Sequence, residues 1–175
     1  MRLRDVELGD VAVYVRMRCD PAMMGELGGP LPREGIEAKV RLDVESVEAG
    51  LYWVKMITLD EGAGEGVGEV VAGSVVLWSH EEDGESISEI GWMVLPEFQG
   101  RGLGKAATRA LLGQAARAEG RWGRVHAFPG VTNAPSNGIC RSLNFRLLGQ
   151  RRVEFAGRPL ETNHWIIDPA ADLQP

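Results

Sequence analysis

Apolar and polar residues alternate from Arg2 to Val6, the period-two pattern of a half-buried strand. Asp10 is a candidate cap for a helix through Val13, Val15 and Met17. Met23 to Pro32 is punctuated by Gly25, Gly28, Gly29, Pro30 and Pro32 and reads as a loop. A second helix is predicted from Arg33 to Glu48, ending near Gly50, followed by a strand from Leu51 to Leu59. Glu61 to Gly68 reads as a hairpin connection, because its glycines lack the flanking helix that a phosphate cradle needs. Glu69 to Trp78 is the next strand, and His80 to Gly84 a polar turn. Ser86 to Leu95 is rich in β-branched and aromatic residues and is stopped by Pro96.

The clearest helix runs from Gly102 to Glu119. Leu103, Ala106, Ala107, Ala110, Leu111 and Ala115 share one face, and the alanines let it lie close to a sheet. Arg124 to Phe128 is a strand and Asn133 to Leu143 a short helix. Arg146 to Phe155 and Thr162 to Ile167 form a closing hairpin around Gly157 and Pro159. Helices and strands are mixed, and the late hairpin argues against a purely parallel sheet, so an α+β fold is expected.

The length of 175 residues suits one domain spanning 1–175. At 44% apolar residues the chain can bury a core without disulfides or metal. Cys19 and Cys140 stand in unrelated contexts, and His80-Glu81-Glu82-Asp83 lacks a second ligand group, so no metal site is expected. No apolar run is long enough to span a bilayer, and Met1 to Val6 does not open a secretory signal. A cytoplasmic protein without membrane partners is the expectation. The net charge of -6 argues against an electrostatic nucleic-acid binder and is compatible with a cationic substrate such as an amine.

The chemistry concentrates at Val94-Leu95-Pro96-Glu97-Phe98-Gln99-Gly100-Arg101-Gly102-Leu103-Gly104-Lys105. A strand ends, a glycine-rich turn follows, and a long helix begins. Free N–H groups of a helix's first turn, aided by its dipole, bind phosphate or pyrophosphate. A P-loop would need glycine at Gln99 and Ser or Thr at Ala106. The dinucleotide fingerprint fits Gly102 to Ala107 in its alanine-ended form, yet the strand ending at Phe128 lacks the acidic residue that should hold a ribose. A purely structural strand-to-helix turn is the remaining alternative.

Gln99-Gly100-Arg101-Gly102-Leu103-Gly104 resembles the Gln/Arg-x-x-Gly-x-Gly/Ala signature of the GCN5-related N-acetyltransferase (GNAT) superfamily. Met23 to Gly29 after Asp20-Pro21, Glu89 to Pro96, Asn133-Ala134-Pro135-Ser136-Asn137, Leu143-Asn144-Phe145 and the hairpin from Gly149 to Ile167 extend the likeness. Together they are most similar to the branch that acetylates ribosomal-protein N-termini. The resemblance implies a mixed, mostly antiparallel sheet of about seven strands with about four flanking helices. Its fourth and fifth strands splay, and the pantetheine of acetyl-CoA, or another short acyl-CoA, lies between them. Backbone groups of Trp92 and Val94 would bond the pantetheine amides. Gln99, Gly100, Arg101, Gly102, Leu103, Gly104 and Lys105 would hold the pyrophosphate, and Asn133 and Ser136 would contact the cofactor.

The implied reaction is direct attack of a primary amine on the thioester. The backbone N–H of Trp92 or Met93 is the expected oxyanion donor, with Gly91 allowing a local bulge. Glu89 and Glu154 are candidate bases, and a water chain without a dedicated base is the alternative. Many members carry a Tyr acid where Cys140 stands; Ser136 is the other candidate acid, or a helix-cap residue. Cys140 itself reads as a small buried hydrophobe. His126 reads as a core residue, His80 as a turn residue, and His164 as a candidate for the acceptor pocket. The acceptor is either a protein N-terminus or a small amine. A larger donor such as succinyl-CoA and a non-catalytic acyl-CoA sensor are alternatives, and a homodimer is expected from the family.

Overall fold

The computed structural model describes residues 1–60, 69–82 and 84–173. The expected connection from Glu61 to Gly68 therefore lies outside the described residues, as does Asp83 of the expected turn. In chain order the elements are β1 (Arg2–Asp5), α1 (Val11–Arg18), α2 (Pro21–Met24), α3 (Ile36–Glu48), β2 (Trp53–Asp60), β3 (Glu69–Glu82) and β4 (Glu85–Val94). They continue as α4 (Leu103–Ala116), β5 (Val125–Ala127), α5 (Ala134–Ser142), β6 (Arg146–Phe155), β7 (Arg158–Ile167) and α6 (Pro169–Asp172).

The strands form one sheet in the order β1-β2-β3-β4-β5-β7-β6. Every neighbouring pair is antiparallel except β4–β5, which is parallel. This is the mixed, mostly antiparallel sheet expected, and its fourth and fifth strands do splay. β4 and β5 pair only at Ser88↔Val125 and Glu89↔His126.

Helices cover both faces. Met17 of α1 meets the Ser74 hydroxyl of β3, and Tyr14 of α1 donates to the buried Asp43 of α3 at 2.8 Å. On the opposite face α4 buries Leu103, Ala107, Leu111, Leu112 and Ala115 against β3 and β4. Ala107 and Ala115 allow that close approach, whereas Ala106, expected on the same face, is exposed and Ala110 only half-buried. Beside it, α5 is capped by Asn133, whose side chain accepts from the Ser136 N–H at 3.0 Å. Asn144 then ends the α5 segment with φ 63°, the left-handed conformation that asparagine tolerates.

Several boundaries differ from the sequence expectation, each for a physical reason. The expected turn at His80 is strand: β3 runs to Glu82 because it pairs with β4 through Glu82↔Glu85, and ladder bonds outweigh polar composition. β7 begins at Arg158 and includes Pro159, at an end where only β6 is alongside and no N–H is required on the other edge. Within the expected loop from Met23, α2 forms a single turn capped by Asp20, and a 3₁₀ turn follows over Gly25–Leu27.

Candidate active site at the β4–β5 gap

Beyond Glu89 and His126 the two central strands diverge, so Ile90 to Val94 present one edge of backbone to a gap. Their orientation follows from the ladder with β3. Leu95 donates its N–H to Ala72 at 2.8 Å. In an antiparallel pair the direction alternates with each residue. Gly91 and Met93 therefore bond towards β3, while the N–H and C=O groups of Trp92 and Val94 face the gap. Of the two expected oxyanion donors, Trp92 is the one whose N–H points the right way. The register from Gly73↔Val94 to Glu82↔Glu85 is unbroken, so there is no bulge at Gly91. The close approach is instead at Gly73, where a Cβ would lie 2.1 Å from the Met93 carbonyl oxygen. Gly73 adjoins a register shift that β3 makes against β2, opposite Ile57 and Thr58.

The gap opens onto the start of α4. Gly100 and Gly102 both have φ 74°, a conformation that disfavours side chains, and Gly102 is the N-cap. No side chain caps this end among the described residues, and the first chain-directed bond is from the Ala106 N–H to the Gly102 carbonyl. The N–H groups of Leu103, Gly104 and Lys105 thus form the unsatisfied first turn of a fourteen-residue helix. Gly104 is tightly packed: a Cβ there would meet Ile139 at 3.1 Å and Val94 at 3.4 Å. Gln99 donates its side-chain amide to the Val94 carbonyl at 2.9 Å, tying the turn to the strand end. Lys105 is exposed, and Arg101, also exposed, lies over the Phe98 ring.

α5 flanks the same region. Ser136 is half-buried one turn into the helix. Cys140 is fully buried, and burial pushes its thiol up to about 12. A thiol so desolvated and far from neutrality packs as a small hydrophobe. Asn137, not singled out from the sequence, fixes the helix in place. It donates to the carbonyls of Gly130 at 2.9 Å and Asn133 at 2.8 Å. Its oxygen accepts from Asn163 at 2.8 Å and from the Trp165 indole at 2.9 Å.

Side chains of β4 divide between the faces. Gly104 approaches Trp92 and Val94 on the α4 side. Met93 pairs with Ser74, which meets α1, so Glu89 and Met93 face the other way. Glu89 is four-fifths buried there, 20% exposed, with Oε2 2.8 Å from Nε2 of His80. Burial pushes the Glu89 carboxyl above its ordinary range, and the bond from His80 opposes that rise. His80 is itself raised, first by that same bond. Level with Glu89 on β5, His126 places Nδ1 2.9 Å from Nε2 of His164 on β7. Desolvation lowers His126 and holds His164 down to about 4, with Arg151 adding to both shifts. Phe128 stacks on His164 at 4.6 Å. His126 and His164 are half-buried and paired, so His126 is not a fully enclosed core residue.

Glu154 stands apart from this cluster. It is exposed opposite Pro159 at the tip of the β6–β7 hairpin, on the sheet face away from Glu89. It lies eight residues along β6 from Arg146, which is level with Glu89 through His126 and Ile166. That spacing is about 25 Å of strand. The hairpin is anchored to the α2 loop, where Arg158 donates to the Gly29 carbonyl at 2.9 Å and also bonds that of Gly28. Thr132 bonds Glu26 at 2.7 Å, holding the same loop against the α5 entry.

Among the described residues no group of three or more His, Cys, Asp or Glu is placed to hold a metal. Among the described residues no helix is long and apolar enough to cross a membrane.

The acetyltransferase (GNAT) domain family is matched over residues 1–146. No curated protein matches the chain. The fold is similar to RimL, a ribosomal-protein alpha-N-acetyltransferase in complex with coenzyme A, with TM-score 0.72 and 20% identity over 97% of this chain and 94% of that one. A phosphinothricin acetyltransferase from Sinorhizobium meliloti in complex with AcCoA gives 0.72 and 21%, over 95% and 87%. A ribosomal-protein-alanine N-acetyltransferase from Brucella melitensis gives 0.71 and 19%, over 96% and 99%. At these identities the likeness establishes the fold.

Proposed function

The chain belongs to the acetyltransferase (GNAT) domain family, and from that premise we propose that it transfers an acetyl group from acetyl-CoA to a primary amine. The observation that carries this reading is the parallel seam of two residue pairs, opening directly onto the uncapped N-terminus of α4. The Trp92 C=O and the Val94 N–H face outward along one edge, which suits the amides of a pantetheine arm. The first-turn N–H groups of Leu103, Gly104 and Lys105 suit its pyrophosphate. When bound, the coenzyme supplies an activated thioester.

The chain's residues do the rest. The Trp92 N–H stabilises charge developing on the acyl oxygen, a role in which one fixed donor contributes about 3 kcal/mol. Glu89 takes the proton of the attacking amine, on the sheet face opposite α4. Ser136 is the hydroxyl on α5 available to a departing thiolate, since Cys140 is buried. Glu154 has no part in this scheme. The branch resemblance favours a protein N-terminus as acceptor.

Calorimetric titration with acetyl-CoA tests the donor site. A Cβ at Gly102 would meet nothing within 4 Å, but its φ of 74° strains any side chain there, so Gly102→Asp places a carboxylate at the helix start and Gly102→Ala, equally strained, is its control. Micromolar binding by the parent and at least a tenfold loss in folded Gly102→Asp relative to Gly102→Ala are expected. Equal binding by both variants would remove the pyrophosphate from this turn. Turnover is then sought with a free-N-terminus peptide and with spermidine, followed by release of free thiol. Binding without turnover on any amine would make the chain a sensor and not an enzyme.

A further inference from the structure

His80 has a second bond that fixes its chemistry. Its Nδ1 lies 3.3 Å from the Glu81 carbonyl oxygen. A carbonyl only accepts, so Nδ1 carries the hydrogen. The neutral ring then offers only a lone pair at Nε2, which faces Glu89 Oε2 at 2.8 Å. A carboxylate is likewise only an acceptor. Two lone pairs do not sit at that distance, so one proton lies between them: an imidazolium beside a carboxylate, or a neutral imidazole beside a carboxylic acid. The ring is further held against Trp78, with centroids 6.1 Å apart and planes 22° apart.

We propose that His80 is the positioning residue of the acetyl-transfer site, an imidazolium that binds Oε2 of Glu89 and leaves Oε1 ionised and directed to the amine. The inference rests on the reading of Glu89 as base. In the step itself, the amine nitrogen gives its proton to Oε1 while the Nε2–H bond to Oε2 stays intact. The carboxyl becomes neutral and the imidazolium is unchanged. His80 is 30% exposed and Glu89 20%, so the pair is shielded yet reachable.

The surrounding charges act on both members of the pair. Glu82 on β3 raises His80, which favours the imidazolium, and also raises Glu89, which opposes its carboxylate; Arg151 of β6, at 3.1 Å, pairs with Glu82. From β5 and β7, His126 and His164 are both lowered, first by desolvation; Arg151 and His80 add to the shift of His126, and His126 and Arg151 to that of His164. Glu85 of β4 acts on His126. Within this set His80 is the residue bonded directly to Glu89.

The test is a carbon-13 titration of the Glu89 carboxyl, in full-length protein labelled at glutamate, from about pH 4 to 9. Glu89→Gln assigns the signal. In His80→Ala the midpoint is expected to rise by about one pH unit, because an adjacent positive charge is lost. His80→Gln keeps a donor without the charge and is expected to rise comparably. The acidic limb of kcat/KM with a free-N-terminus peptide should move with it, falling roughly tenfold near pH 6 and recovering to within about twofold by pH 9. Acetyl-CoA affinity should not change. An unmoved midpoint and limb in both folded variants would overturn the role of His80 while leaving Glu89 as base. Full activity of Glu89→Gln would instead overturn the base itself, and the role of His80 with it.

Discussion

Glu89 carries opposite consequences for catalysis and for stability, because burial raises its carboxyl above the ordinary range. As pH rises through that raised value the carboxylate forms, and with it the capacity to accept a proton. Activity should therefore have an acidic limb above the range of a surface glutamate. Folding responds in the other sense. A group whose folded pKa exceeds its unfolded value contributes stability that is present below the unfolded pKa and lost as pH rises through the folded one. Glu89→Gln is thus expected to lower kcat by at least about a hundredfold without lowering the melting temperature at neutral pH. Steady-state kinetics and calorimetry on one preparation check both. The glycine turn was legible at this scale because it is local, its residues adjacent in sequence. The His80–Glu89 and His126–His164 contacts were not. The first pair is nine residues apart and the second thirty-eight, and both are created by strand register.

At the scale of elements, α4 was legible from its helical period, and the closing hairpin from its turn residues. His80 was misplaced because its polar neighbours resemble a turn, whereas pairing with β4 extends β3 through them. The short α2 and α6 carry too few residues to show a period. Gly73 escaped notice inside an apolar run, yet the backbone of β4 leaves no room there for a Cβ. In Gly73→Ala the new Cβ would meet the Met93 carbonyl oxygen at 2.1 Å and Val94 Cα at 2.9 Å. Both are backbone atoms, which yield less readily than a side chain. The substitution is expected to cost about 1–3 kcal/mol, read as a lower denaturation midpoint in urea. Acetyl-CoA affinity should fall as well, since Trp92 and Val94 would move with the strand.

On the scale of the molecule, the sheet consists of two parts that meet at one narrow seam. One part is β1 to β4; the other is β5, β7 and β6. The mixed class followed from the alternation of elements, and the splay from the family resemblance. No local pattern showed that β4 and β5 share only two pairs. Across the seam, Arg158 bonds the carbonyls of Gly28 and Gly29, and Thr132 bonds Glu26. These contacts hold the second part to the α2 loop.

That seam is where the proposed coenzyme would add to the cohesion of the protein. A pantetheine arm lying along Trp92 and Val94 would act as a removable strand, bridging edges that the polypeptide leaves apart. Such a molecule favours the folded state by mass action, by about 2.7 kcal/mol at a hundred times its dissociation constant. The melting temperature should therefore climb with the logarithm of acetyl-CoA concentration, and the amides of Trp92 and Val94 should exchange more slowly with solvent. Scanning fluorimetry and hydrogen exchange would then report the coenzyme pool as well as the fold: a protein in coenzyme-poor surroundings would be the first to loosen, and along this line.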